Sequence, residues 1–322
     1  MPTNMNTITA INATDTNGGL KPDAFYDKIL LTMLRQTDFS HRKFAKKKSL
    51  PKNFGDTINF RRYTKLAVNT TPLTEGVTPD GKLASGGSIT ASIDQYGDVM
   101  FFTDKVSNEQ MDDVITEYTI ELGYQAQESL DIIARDAILS EASVFYAGAN
   151  TDIDALDATD VPTIDDFRKI ALAMKQDHIK PVRGTSKYVC LVSPAVMYDL
   201  MDDQKLEKYM QFGMTNAPLK ENMVADIYDL RFMEVLNAKS EANANTPVVD
   251  VHHSIVLGDE AYGDIELEAN GNVKIIKKGL GSAGTDDALN QRQSVGWKVN
   301  GYACKVLTPI AVYDYMSVPT QG

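Results

Sequence analysis

Apolar and polar residues change rhythm twice in the first half of the chain. Residues 58–63 read Ile-Asn-Phe-Arg-Arg-Tyr and residues 89–93 read Ile-Thr-Ala-Ser-Ile, roughly alternating and rich in β-branched and aromatic side chains. That pattern predicts two half-buried strands. The second run resumes after Gly97 as Val99, Met100, Phe101 and Phe102. Between the runs lie Pro72, Gly76, Pro79, Gly81, Gly86 and Gly87, so the strands should form a hairpin with a very long tip. From residue 107 the period turns helical. Met111, Val114, Ile115, Tyr118, Leu122, Ala126, Leu130, Ile133, Ala137 and Ile138 recur in steps of three and four. Ser107 with Gln110 fits a capping box, and no proline interrupts before Ala142. The reading is one rod over 107–142, roughly 54 Å long at about 1.5 Å per residue. Gly123, which costs about 1 kcal/mol inside a helix, leaves open a break into two.

The hairpin tip cannot order itself. Leu66, Val68, Leu73, Val77, Leu83 and Ile89 are its sizeable apolar side chains, each gaining about 1.5–3 kcal/mol if buried. Every residue of the segment costs about 1–2 kcal/mol of backbone entropy to fix, and most carry no such side chain. A loop of this kind becomes rigid only against a partner.

Elsewhere the pattern is more conventional. Residues 1–20 are polar and aperiodic, a flexible arm, and Pro22 opens a short helix with Phe25, Ile29, Leu30, Met33 and Leu34 on one face. Thr163 and Asp166 start a helix carrying Phe167, Ile170, Ala171 and Met174. Residues 188–192, Tyr-Val-Cys-Leu-Val, are a continuous apolar run of the central-strand type, and Ser193-Pro194 opens the next helix. Residues 248–257, 264–268 and 273–276 read as further strands, giving an α/β lobe over 162–272. The last segment runs as a strand pattern to Met316, and Pro309 within it calls for a bulge or a sheet edge.

Charge is segregated along the chain. Residues 41–65 contain Arg42, Lys43, Lys46, Lys47, Lys48, Lys52, Arg61, Arg62 and Lys65 against Asp56 alone. Residues 107–142 contain Glu109, Asp112, Asp113, Glu117, Glu121, Glu128, Asp131, Asp136 and Glu141 against Arg135 alone. Two separately solvated faces would account for this; so would complementary docking within or between subunits, which would set register more than affinity. The net charge of -12 argues against a general nucleic-acid binder. Cys190 and Cys304 are too far apart for a metal or redox motif and read as reduced thiols. No basic start followed by an apolar run marks a signal peptide, and no 18-residue apolar stretch spans a membrane.

No catalytic constellation emerges. Residues 279–284 spell Gly-Leu-Gly-Ser-Ala-Gly after a strand, but a dinucleotide site needs a helix, a parallel strand and an acid about 20 positions on; position 304 is Cys304. His252 and His253, if on a strand, point to opposite faces and cannot share a metal. Ser193 lacks a nucleophile-elbow context, and Cys190 has no basic neighbour to activate it. Asp165-Asp166, Asp202-Asp203 and Asp286-Asp287 read as helix-start or loop acids. The expectation is a non-enzyme without cofactors or metals.

Several blocks resemble a family. Residues 50–53 and 57–63, the run 71–81 (Thr-Pro-Leu-Thr-Glu-Gly-Val-Thr-Pro-Asp-Gly), 94–98, and 290–298 ending in Gly296-Trp297-Lys298 are similar to the major capsid proteins of tailed bacteriophages of the phage N4 type. The resemblance implies an α+β chain with the Hong Kong 97-type capsid fold. By it, residues 1–54 are an N-terminal arm and 55–103 an extended β-hairpin loop. Residues 104–161 with 288–307 would be a peripheral domain built on the spine helix 107–142, and 162–287 with 308–322 an α/β axial domain. It implies a virion structural protein, assembled in the host cytoplasm from hexamers and pentamers of itself into an icosahedral head around double-stranded DNA, with a portal. The short segment before the first helix implies a separate scaffolding protein or none, and decoration proteins are possible partners. The other role for the same fold is an encapsulin-like cellular compartment. The residues expected at inter-subunit contacts are Lys46, Lys47, Arg61, Arg62, Lys65, Leu73, Glu75, Val77, Glu117, Glu121 and Glu128.

Overall fold

The computed structural model describes residues 40–51, 53, 55–63, 66–78, 81–109, 114–205, 223–244, 247–268, 273–282 and 284–321. The expected arm 1–39 with its short helix, together with Lys65 and Gln110, lies outside them. Along the chain the strands and helices are β1 (Lys46–Leu50), β2 (Thr57–Tyr63), β3 (Gly86–Ser92), β4 (Asp94–Thr103), α1 (Asp104–Glu109), α2 (Val114–Leu139) and β5 (Ser143–Tyr146). Then come α3 (Ile164–Gln176), β6 (Tyr188–Val192), α4 (Pro194–Met201), β7 (Met223–Ile227), β8 (Leu230–Glu234), β9 (Ser240–Ala242) and β10 (Asp250–Leu257). The last four strands are β11 (Tyr262–Leu267), β12 (Lys274–Lys278), β13 (Arg292–Val306) and β14 (Val312–Ser317).

Two sheets carry the body. In the first, the 15-residue β13 is central. It pairs antiparallel with β4 along one edge and with β11 and β12 along the other, and β1 adds in parallel outside β11. Alternation along β13 sends Val295, Trp297 and Val299 to one face, where they pack with Phe102, Val106 and the Leu122, Ala126 and Leu130 stripe of α2. The second sheet runs β5-β14-β10-β6-β8-β7, with β9 on β10. Its middle strand β6 is buried at every position, as a continuous apolar run requires. Helices α3 and α4 cover it through Phe167, Ile170, Met174, Val196 and Leu200. Both helices begin on capping hydroxyls: Thr163 accepts from the Asp166 amide and Ser193 from the Val196 amide.

The structure changes four local expectations. Helix α1 begins at Asp104 directly after β4, so Ser107 lies inside a helix and is no cap. Helix α2 continues through Gly123 without a break, as the reading of one rod requires. It stops at Leu139 instead of Ala142, because the Ser140 and Glu141 amides close the last turn on Asp136 and Ile138 before β5 starts. Pro309 neither bulges a strand nor edges one. It starts a single 3-10 turn, Pro309–Ala311, that carries the chain from β13 in one sheet to β14 in the other. Strands β11 and β12, read as part of the α/β lobe, instead hydrogen bond to β13 in the first sheet. Periodicity identifies a strand but not its partner, and these partners lie tens of residues away.

Candidate inter-subunit surfaces

The expected hairpin forms, with Thr57 facing Ser92 and Tyr63 facing Gly86. Its root rests on the body. A Cβ on Gly263 of β11 would sit 3.4 Å from the Phe60 ring, and one on Gly301 of β13 would meet Ile93 at 2.8 Å, so side chains at those two positions would lift the hairpin away. Beyond Phe60 the ribbon leaves its own subunit, and Arg61, Arg62 and Tyr63 are exposed. The tip then makes a tight turn in which the Val77 amide donates to the Thr74 carbonyl (3.2 Å), with Gly76 at φ +77°. That left-handed backbone suits glycine at the third position of a type II turn. It puts Glu75 at the apex, bracketed by Leu73 and Val77. Leu66, Val68, Leu73, Val77 and Leu83 are 58–94% exposed, so five of the six apolar tip residues have no packing on their own chain.

Inside the subunit, the basic segment meets other acids than expected. Arg42 donates to Asp264 (3.2 Å) and Glu266 (2.6 Å) of β11 and stacks 4.7 Å over the Tyr302 ring. Lys46 bonds Glu260 at 2.8 Å. Burial lifts the Asp264 carboxyl above its usual range, while its acidic partners hold the Arg42 guanidinium above its own. The contact of this segment with the spine is His41. Its amide donates to one oxygen of the buried Asp131 (3.2 Å), its Nδ1 lies 2.7 Å from the other, and the Tyr262 hydroxyl donates to its carbonyl. Sequence reading missed this clamp: the two residues are 90 positions apart and neither alone is unusual. Lys47, Arg61, Arg62 and Glu75 are exposed, and Glu117, Glu121 and Glu128 line one stripe of α2 at steps of four and seven.

The residues that carry chemistry in other proteins have structural duties. Ser193 Oγ lies 2.8 Å from His252, but through Nδ1, while it also accepts the Val196 amide at 3.3 Å as the α4 cap. Burial lowers the His252 pKa. His253, on the opposite face, has Nδ1 2.8 Å from Asp314 and Nε2 3.3 Å from Glu241. The glycine-rich residues 279–282 and 284 form the turn between antiparallel β12 and β13, the wrong topology for a dinucleotide site. Burial raises the Cys190 thiol far above its ordinary value and pushes Cys304 up to about 12, with the Asp264 charge adding to the latter. Among the described residues no helix is long and apolar enough to cross a membrane.

What remains conspicuous is a body with an extended arm that its own subunit leaves uncovered. A model of the family described as phage capsid protein matches residues 87–315, more than half of the chain. The chain belongs to the phage capsid protein family. Solved structures agree on the fold. The capsid of Ralstonia phage GP4 is 14% identical with a TM-score of 0.69, covering 94% of this chain and 97% of that one. The capsid of cyanophage P-SCSP1u is 16% identical with a TM-score of 0.64, covering 93% of each. The SrpI encapsulin of Synechococcus elongatus PCC 7942 is also similar, at 10% identity over 93% of this chain and 94% of that one, with a lower TM-score of 0.54. No curated protein matches the sequence. The fold is thus the Hong Kong 97 type, and family and fold together make the chain a phage major capsid subunit, a structural protein, with the encapsulin role not favoured.

Proposed function

We propose that this subunit is an N4-type major capsid protein that closes, as hexamers and pentamers, into an icosahedral head around double-stranded DNA. The observation that carries the reading is the hairpin whose five apolar tip residues are bare on their own subunit; copies packed side by side supply the missing cover. In this reading 1–54 is the arm, 55–103 the extended loop, 104–161 with 288–307 the peripheral domain, which takes β4, β11 and β12 with the β13 sheet, and the rest of 162–287 with 308–322 the axial domain. Lys46, Lys47, Arg61, Arg62, Lys65, Leu73, Glu75 and Val77 face the neighbour, and Glu117, Glu121 and Glu128 on the spine receive its cations. The head forms in the host cytoplasm with a portal, and with either a separate scaffolding protein or none; decoration proteins are further candidate partners. The acidic total, -12 per copy, lets the shell enclose DNA without gripping it.

Electron microscopy of purified protein at high concentration tests this: closed shells are expected. Reversing Arg61, Arg62 and Lys65 to Glu should abolish shells while leaving the melting temperature of the subunit unchanged. Normal shell yield from that variant removes the docking role of these cations.

A further inference from the structure

Helix α2 carries a stripe that its own subunit covers at one end only. Ile120, Tyr124, Gln127 and Asp131 follow at steps of four, three and four, so they share one side of the helix. At the C-terminal end the chain itself lies on that side. The Ser40–Arg42 turn sets His41 on Asp131, and the two are 1% and 0% exposed. Toward the N-terminus the cover stops. Ile120 is 51% and Tyr124 40% exposed, and Ile275 of β12, which borders the helix at Gly123, is 43% exposed.

Gly123 makes the same point from the backbone. Glycine is the poorest helix former after proline, and it sits in the middle of α2 with ordinary helical backbone. A Cβ there would have one neighbour within 4 Å outside the helix backbone, Ile275 Cδ1 at an ordinary 3.8 Å. Alanine would therefore fit among the described residues. A glycine that its own packing does not require leaves room for another backbone to come close. The bare stretch is thus a shallow channel between α2 and β12, lined by Ile120, Tyr124 and Ile275 with Gly123 at its floor.

We propose that residues 22–35 of the same chain dock in this channel. The chain's route leads there: it meets the stripe at His41, so the residues just before the turn start from the covered end. Pro22 opens a segment with Phe25, Ile29, Leu30, Met33 and Leu34 at helical spacing, an apolar face that needs a partner. As a helix, 22–35 is about 21 Å long, and 36–39 spans up to about 13 Å. Ile120 to Asp131 covers about 16 Å of α2, so the lengths match. The segment runs alongside α2 in the same direction, with Met33 and Leu34 against Tyr124 and Ile275, and Ile29 and Leu30 against Ile120. Glu117, Glu121 and Glu128 stay at the outer margin, open to a neighbouring copy. The contact forms within one copy and goes beyond the shell reading.

The test uses the full-length subunit at a dilution where shells do not form. Trypsin cleavage after Lys28 and Arg35, followed by mass spectrometry, should be slow in the parent and about tenfold faster in the Ile120→Asp, Tyr124→Asp double variant. Both positions are exposed, and a cooperative urea transition will show that the body of the variant folds. As a second measurement, Met33→Cys with Tyr124→Cys should form a disulfide within one chain; burial holds Cys190 and Cys304 as thiols, so they do not compete. Cleavage of the parent as fast as the variant overturns the assignment. So does the absence of the disulfide, or its formation only between two chains. Neither measurement reads shell yield, so failure here leaves the shell reading intact, whereas absence of shells from the concentrated parent bears on that reading alone.

Discussion

Asp131→Ala is the most revealing single change in the subunit. Asp131 sits on the inner face of α2 and is 0% exposed, with His41 at 1%. The carboxylate receives both the His41 amide at 3.2 Å and its Nδ1 at 2.7 Å. Truncation strands two buried groups at once. An unsatisfied buried donor costs about 1–3 kcal/mol, so stranding the His41 amide and its Nδ1 together should cost about 2–6 kcal/mol. His41→Ala should be costly for the mirror reason, an isolated carboxylate. The double variant should cost less than the two singles added, by about 0.5–3 kcal/mol. Urea unfolding of the dilute subunit, followed by fluorescence, measures all three. Trp297 is the only tryptophan and donates to Gln125 of the same helix at 3.0 Å, so its signal reports the packing that the clamp secures. Strict additivity, or a loss below about 1 kcal/mol for Asp131→Ala, would refute the argument that the two residues form one coupled unit.

Thiol reactivity supplies a pH test. Burial raises Cys190 well above its ordinary value, and with Cys304 pushed up to about 12 the thiolate fraction of Cys304 at pH 8 falls on the order of a thousandfold below that of a free cysteine. Both should resist thiol reagents in the folded subunit at pH 8 and react at once in urea, and Cys304 labelling should rise with pH while the fold persists. Gly296→Ala should lower stability by about 1–3 kcal/mol, because its Cβ meets the Asp98 carbonyl at 2.6 Å and Val99 at 3.1 Å; a thermal melt checks it.

Local pattern carried much of the fold. The alternation at 58–63 and 89–93, the apolar run 188–192 and the caps at Thr163 and Ser193 were legible because each depends on neighbours a few residues away. The helix of 114–139 was legible for the same reason, although its C-terminal end was not, since Leu139 is set by where β5 starts. Long-range choices were hidden. Nothing near Tyr262 or Ile276 announces that they pair with β13, and Pro309 marks a crossing only once the two sheets are known. The expected contact residues were chosen as chemistry, mostly apolar and charged side chains on a hairpin, and one chain alone does not contain a neighbour for them.

The join between the two sheets has a mechanical meaning. The chain passes between them at residues 140–142, 258–261 and 307–311, and these passages are tied together: Gly258 N–H bonds the Ala311 carbonyl at 2.8 Å, Leu307 N–H bonds Ala261 at 2.8 Å, and the Ser143 hydroxyl bonds Pro309 at 3.3 Å. Around them, Ile138, Leu191, Leu257, Tyr262, Val306 and Val312 share one apolar cluster drawn from both sides. Three covalent cables through a dry waist make the body a single stiff plate. Any bending that a closed container demands of its tiles, whether from curvature or from internal pressure, must be taken up at the rim, by the hairpin, and not at the centre.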